Sequence, residues 1–355
     1  MRFLIILISI LFYLPLSAQT NVVKRTAIKA NNYGVAYSLP KTSFIITAEV
    51  IKTTTKSGPY YQYAERYLGV RNPIIEDNTF YELGEVTLTN VGIPDPDNSY
   101  MVDFKAGTVA PYVYLTEEGL ICAVNAEYEP DRSVSVSSER SQVNSVTATD
   151  ASVFSEELLM AGTIARQAEV AAKQIYRIRE SRLNILTGEA DNLPPDGEAM
   201  RIVIGELEAQ EKALTNLFTG VTTTTSEVYE MNLVPHDDLN REVLFRFSSQ
   251  LGILDADDLG GAPVYMNLRA TEKPPVLDPK EAEKKAKTAN GLIYNLPGKA
   301  SVEILMNQKT LYKADVQVVQ FGTQESLAKT MFEDKKAPVK VLFYPETGAI
   351  KQIIQ

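Results

Sequence analysis

The stretch GPYYQYAERYLG, residues 58–69, holds the densest group of side chains with chemistry to offer: Tyr60, Tyr61, Tyr63, Arg66 and Tyr67. Phenol rings stack on sugar faces or peptide side chains and end in a hydroxyl, and a guanidinium supplies a cation for a ring face. Pro59 is placed to open a helix and Gly69 to close it. Over 59–68 that puts Tyr60, Tyr63 and Tyr67 on one face, with Tyr61, Glu65 and Leu68 on another. Two expectations follow. Either the tyrosine face packs on a sheet with its hydroxyls reaching water, or it lines a cleft for a glycan or peptide. The five residues are the candidate ligand-binding set.

The remaining reactive groups are sparse. His236, in VPHDD, is the single histidine, so a triad or a Cys-His pair would have to be built on it, and no G-x-S-x-G turn accompanies it. A zinc site lacks ligands, and no glycine-rich phosphate loop occurs. Asp255, Asp257 and Asp258 have part of the spacing of a calcium loop, but Leu259 and Met266 fall where ligands belong. These aspartates, like DPDN at 95–98, read as solvated turns. No catalytic residue, metal ligand or cofactor is assigned. A pair of carboxylates of the glycoside-cleaving kind stays open, because sequence does not reveal their separation.

Composition narrows the partners. The formal charge is −10, without the basic stripe that phosphate backbones require, which argues against nucleic acid and against anionic membrane surfaces. The chain opens MRFLIILISILFYLPLSAQ. One arginine, an apolar run and then small residues have the order of a secretory signal peptide, 1–18, cleaved after Ala18. No cysteine adjoins that site, so a lipoprotein is not expected, and no later stretch is long and apolar enough to span a bilayer. The expectation is an exported protein of the periplasm or cell surface. Its only cysteine, Cys122, lies in the apolar GLICAV and reads as buried and inert. Oligomeric state has no signature.

The elements that must position these residues begin with an echo. GVAYSLP (34–40) matches GLIYNLP (291–297) at four of seven positions. VTLTNVG (86–92) lines up with VQVVQFG (316–322), and VYLTEEGLICAV (113–124) with LFYPETGAIKQI (342–353). In the third block two apolar runs flank a polar turn whose Gly119 or Gly348 supplies positive φ, a hairpin pattern. In the first, a short strand exits at its proline. Two related β units, 27–128 and 291–355, are expected, the first enlarged by an insertion that holds the tyrosines.

Between them, a Ser-rich stretch, 129–150, reads as a linker. From the N-cap Ser155 a helical pattern runs to Gly188, with Ile164, Ala168, Ala171, Ile175, Ile178, Arg182 and Ile185 alternating steps of four and three. A second helix ends at Gly220, its seam being Met200, Val203, Leu207, Gln210, Leu214 and Leu217. Folded back near 192, they form an antiparallel hairpin, 155–219, with Arg182 beside Val203 and paired with Glu206. A first helix of about 32 residues would be roughly 48 Å long and project from the body. Strands at 221–234, 242–249 and 262–268 make a middle β region, 221–270, and 271–290 reads as a charged linker with a short exposed helix.

The run YRIRESRLNILTGEADNLPPDGEAM…LEAQEKALTNLFTG, then FRFSSQLG and the ending LFYPETGAI, resembles a family of uncharacterised exported Bacteroidetes proteins, a domain of unknown function. The resemblance extends over nearly all of 25–355. It implies a Gram-negative envelope and brings no activity and no functional residues. The expected fold is α+β: two related, mostly antiparallel, sandwich-like β units with a long inserted helical hairpin. The expected function is non-enzymatic binding or scaffolding, with an envelope protein, glycan or peptide as partner. The alternative is a hydrolase acting on glycan or peptidoglycan through paired carboxylates.

Overall fold

The computed structural model describes residues 21–24, 34–103, 113–129, 155–191, 197–272, 278, 280, 291–332 and 339–354. The signal peptide, most of the Ser-rich stretch, the turn of the helical hairpin and nearly all of the short charged helix lie outside them.

Three antiparallel sheets form the β body. The first runs β1 (Asn21–Lys24), β3 (Asn78–Asp103), β2 (Gly34–Lys56), β6 (Val221–Leu233). The second runs β11 (Lys309–Leu327), β10 (Leu292–Met306), β9 (Ala262–Glu272), β7 (Leu239–Ser248), β8 (Gly252–Leu254). The third runs β13 (Ile350–Ile354), β12 (Lys340–Phe343), β5 (Ile121–Val124), β4 (Val113–Leu115). The middle strands are therefore divided: β6 completes the sheet of the head, and β7, β8 and β9 complete that of the tail.

Alternation explains the core. On β2, Phe44, Ile46 and Ala48 face one way and are buried, as are Val86 and Leu88 opposite them on β3. They share one apolar cluster with Phe245, Val264, Met266, Leu268, Val302 and Ile304 of the second sheet. A second cluster joins Tyr37 and Leu39 of the head to Ile293, Val341 and Phe343 of the tail. The Tyr37 hydroxyl donates to the Ile293 carbonyl (3.3 Å) and accepts from the Ile293 N–H (3.1 Å).

Head and tail follow one order: two long paired strands, then a short hairpin. Both long pairs also break register in the same way. On β2 and β10 a single residue is skipped, Leu39 and Pro297, while on β3 and β11 four are, 95–98 and 319–322. The prolines do not end their strands, contrary to expectation; each strand runs on past a register shift at or beside its proline. The short hairpins agree as well. Gly119 and Gly348 have φ of 87° and 68°, and their carbonyls accept from the N–H of Ser38 (2.9 Å) and Asn295 (3.0 Å).

The second sequence block does not occupy matching places. Gly92 pairs with Thr42 beyond the bulge, whereas Gly322 lies within the skipped residues 319–322. Within the first block the backbone anchors agree but burial does not: Leu39 is 1 % exposed and Leu296 43 %.

The long first helix is broken. Ser155 caps α2 (Glu156–Met160), accepting from the Leu158 N–H. After Ala161 and Gly162, Thr163 caps α3 (Ile164–Thr187), accepting from the Arg166 N–H. A run of 24 residues is roughly 36 Å, shorter than the expected 48 Å. Opposite it lies α4 (Glu198–Thr219).

Candidate functional site

The tyrosine segment forms a 3-10 turn, Tyr61–Tyr63, running into α1 (Ala64–Leu68), with Gly69 closing it at φ 67°. It packs on the helix pair rather than on a sheet. Gly58 lies against the Leu217 carbonyl, where a Cβ would collide, and this approach lets the Tyr60 N–H donate to that carbonyl at 2.8 Å. Tyr60 is 6 % exposed, its ring 5.5 Å from that of Phe218. Both belong to a cluster with Ala64, Leu158, Ala168, Ala171, Ile175 and Leu214. Burial pushes the Tyr60 phenol pKa up. Tyr60 is thus a wedge in the base of the hairpin.

The other four candidates lie nearer the surface. Tyr63 and Tyr67 are half-buried with ring centroids 6.1 Å apart. The exposed Arg66 guanidinium lies 5.4 Å from the Tyr67 ring centre, close enough for a cation–π contact. Tyr61 is half-buried, its hydroxyl accepting from the Gln62 side chain at 3.2 Å. The Tyr67 carbonyl accepts from the Tyr176 hydroxyl at 2.6 Å, tying the segment to α3. The structure therefore gathers the candidates at the hairpin base but divides them between packing and surface.

Above that base the helix pair changes character. The fully buried positions of α3 run from Ala168 to Ile178, and those of α4 are Leu214 and Phe218. Beyond them the seam mixes half-buried Ile185, Met200, Val203 and Leu207 with ion pairs. Arg179 reaches Glu211 at 2.6 Å, and Arg182 reaches Glu211 at 3.0 Å and Glu208 at 3.6 Å. The expected partner Glu206 is not used. At about 100° per residue it falls on the opposite flank of α4 from Glu208 and Glu211. On the same flank as Arg179, Tyr176, Leu183 and Leu186 face solvent, the two leucines 59 % and 65 % exposed. Sequence reading followed only the seam. A second stripe, Ala172, Tyr176, Arg179, Leu183 and Leu186, repeats steps of four and three, and that periodicity was the signal available for it.

An open groove of about 550 Å³ lies where α2 meets α3, lined by Glu156, Glu157, Met160, Ala161, Gly162, Arg166 and Val170. Its two carboxylates are exposed neighbours in one helical turn. Glycoside cleavage requires carboxyls facing each other across a bond, one of them kept protonated by an apolar site, and this groove does not supply that arrangement. Among the described residues no group of three His, Cys, Asp or Glu side chains is placed to hold a metal ion. Asp258 accepts from the Gly260 N–H at 2.9 Å, as in an ordinary turn. Cys122 is 1 % exposed, and burial pushes its thiol up to about 11, which keeps it protonated. No helix of the described residues is long and apolar enough to cross a membrane.

No curated protein and no solved structure matches the chain. One family model does, over residues 33–351. It spans the long strand pairs of head and tail and the helix pair between them. The chain belongs to the family described as Domain of unknown function (DUF4831).

Proposed function

We propose that this is a non-enzymatic, exported envelope protein that binds or scaffolds a partner through the outer flank of its helix pair. One observation carries the reading: Leu183 and Leu186 face solvent beyond the fully buried part of the hairpin, where half-buried apolar side chains and ion pairs close the seam. Two large apolar side chains one turn apart on an outer flank are the kind of anchor an interface uses. The tyrosine wedge then sets the arm at a fixed angle on the β body. In this reading head and tail descend from one β unit, and the two larger sheets form a sandwich sharing the Phe44–Phe245 core.

The test is capture from bacterial envelope fractions with the full chain and with the Leu183→Glu, Leu186→Glu double variant. The full chain recovers one specific partner. The variant loses it while its stability changes by less than about 0.5 kcal/mol per site, as for surface substitutions. Recovery of the free chain alone, or equal capture by the variant, overturns the reading.

A further inference from the structure

The outer edge of β6 offers a second surface. β6 pairs with β2 through thirteen consecutive partners, Lys56↔Val221 to Phe44↔Leu233, without a register shift, and it ends its sheet. Among the described residues nothing pairs with its other side. The edge therefore presents an unpaired backbone donor and acceptor at every second residue over a run without a bulge. The other strands that end a sheet are short or held. β1 spans four residues, β8 and β4 three each, and β13 five. β11 is held against the first sheet, its Val319 N–H donating to the Thr42 hydroxyl at 3.0 Å and its Gln317 carbonyl accepting from Asn90 at 3.1 Å.

Protein edges are ordinarily protected by proline, lysine or a bulge. The β6 sequence VTTTTSEVYEMNL has none of these and is rich in strand formers. Residues 226–230 are all exposed, Val228 at 57 %. The only charges on the strand are Glu227 and Glu230. Being three apart, they project from opposite faces, so a strand laid along this edge meets a carboxylate on either side. The Tyr229 hydroxyl donates to Glu227 at 3.0 Å, fixing that carboxylate beside the edge.

We propose that β6 accepts an extended basic peptide segment of another protein as an added strand, with Lys or Arg residues three positions apart meeting Glu227 and Glu230. A second copy of this chain suits the edge less well. It would gather four glutamates into one seam between two chains of net charge −10 each. The inference goes beyond the helix-arm reading above and uses a different surface.

The probe is a fluorescein-labelled peptide of about six residues, the length of an ordinary strand, made of Val and Thr with two lysines three positions apart. Anisotropy with the full chain should show saturable binding, and hydrogen exchange should slow at alternate amides of 221–233. The Glu227→Lys, Glu230→Lys double variant should bind it at least about tenfold more weakly and should bind the glutamate version of the peptide instead. A peptide N-methylated at alternate residues, with unchanged charge, should not bind. Equal binding of the N-methylated peptide, or protection elsewhere than β6, overturns the proposal. So does a concentration-dependent dimer in sedimentation that the charge reversal dissolves. The Leu183→Glu, Leu186→Glu chain should bind the peptide normally, so failure here leaves the helix-arm reading standing, and the reverse holds too.

Discussion

The head pair β2–β3 and the tail pair β10–β11 skip the same numbers of residues at the same point of their ladders, yet they are finished differently. β10 turns into β11 through Asn307 and Gln308, both at positive φ, a tight hairpin. β2 instead continues to Lys56, and the chain then forms the tyrosine segment before returning as β3. The extra length of the head lengthens the ladder with β6 and leads into the segment on which the helix pair stands. The tail has no such extension and serves the core. One plan of strands thus produces a structural half and a half that carries an arm, the difference lying in how far the strands run past the shared bulge.

A second contrast lies within the matching segments. The backbone anchors coincide, Ser38 to Gly119 and Asn295 to Gly348, but the side chains do not share environments. The Asn295 amide nitrogen donates to the Pro40 and Thr347 carbonyls, both at 3.0 Å, so it is wedged between head and tail. Ser38 instead contacts the Ser99 hydroxyl at 2.9 Å inside its own pair.

The largest effect that sharpens this comparison comes from the matched leucines. Leu39→Ala should cost about 2–5 kcal/mol, as truncation of a buried leucine does. Leu296→Ala should cost about 0.5 kcal/mol or less, as at exposed sites. Denaturant titration of both variants reads the gap, and equal costs would mean that the seven-residue match describes burial after all. Next come the two turn glycines. A Cβ at Gly348 would lie 2.8 Å from Pro40 Cδ, whereas at Gly119 it would meet nothing within 4 Å. Both alanine variants bear the strain of positive φ, about 1 kcal/mol, but Gly348→Ala adds overpacking of about 1–3 kcal/mol. Melting temperatures should rank them in that order.

The smallest effect is in pH. Burial raises the Tyr37 phenol well above its ordinary value of 10.0. A raised folded-state pKa means that this group's contribution is complete below pH 10 and declines as pH rises beyond it. Tyr37→Phe should lose stability at neutral pH with its hydrogen bonds to Ile293, but fall less steeply between pH 10 and 11. Parallel pH profiles of the two chains would remove Tyr37 as the link between head and tail.

Much of the local structure was legible in the residues. The caps Ser155 and the glycines at 69, 188 and 220, the alternation of Val86 and Leu88, and the hairpin turns at Gly119 and Gly348 all follow from preferences acting over a few residues. The helix pair was legible too, through its seam. The break at Gly162 was not, because the apolar period continues across it and only the second cap, Thr163, marks a new start. The tyrosine segment is legible as a short helix, but of its two expected settings, a sheet or a ligand cleft, neither names the helix pair on which it packs. Its actual neighbour, Phe218, sits one residue beyond the seam as read.

By itself the sequence determined the hairpin turns at Gly119 and Gly348, most helix caps and the pairing of the two helices, since these are set by φ preference, capping and periodicity within single segments. The tertiary structure alone decided which of two matched leucines is buried, which side of the chain Tyr60 faces, and which edge is left without a neighbour. Those outcomes depend on contacts such as Tyr37 with Ile293 or Asn295 with Pro40, which join residues more than 250 positions apart. No local preference reaches that far, and in a strand a shift of one residue exchanges the two faces.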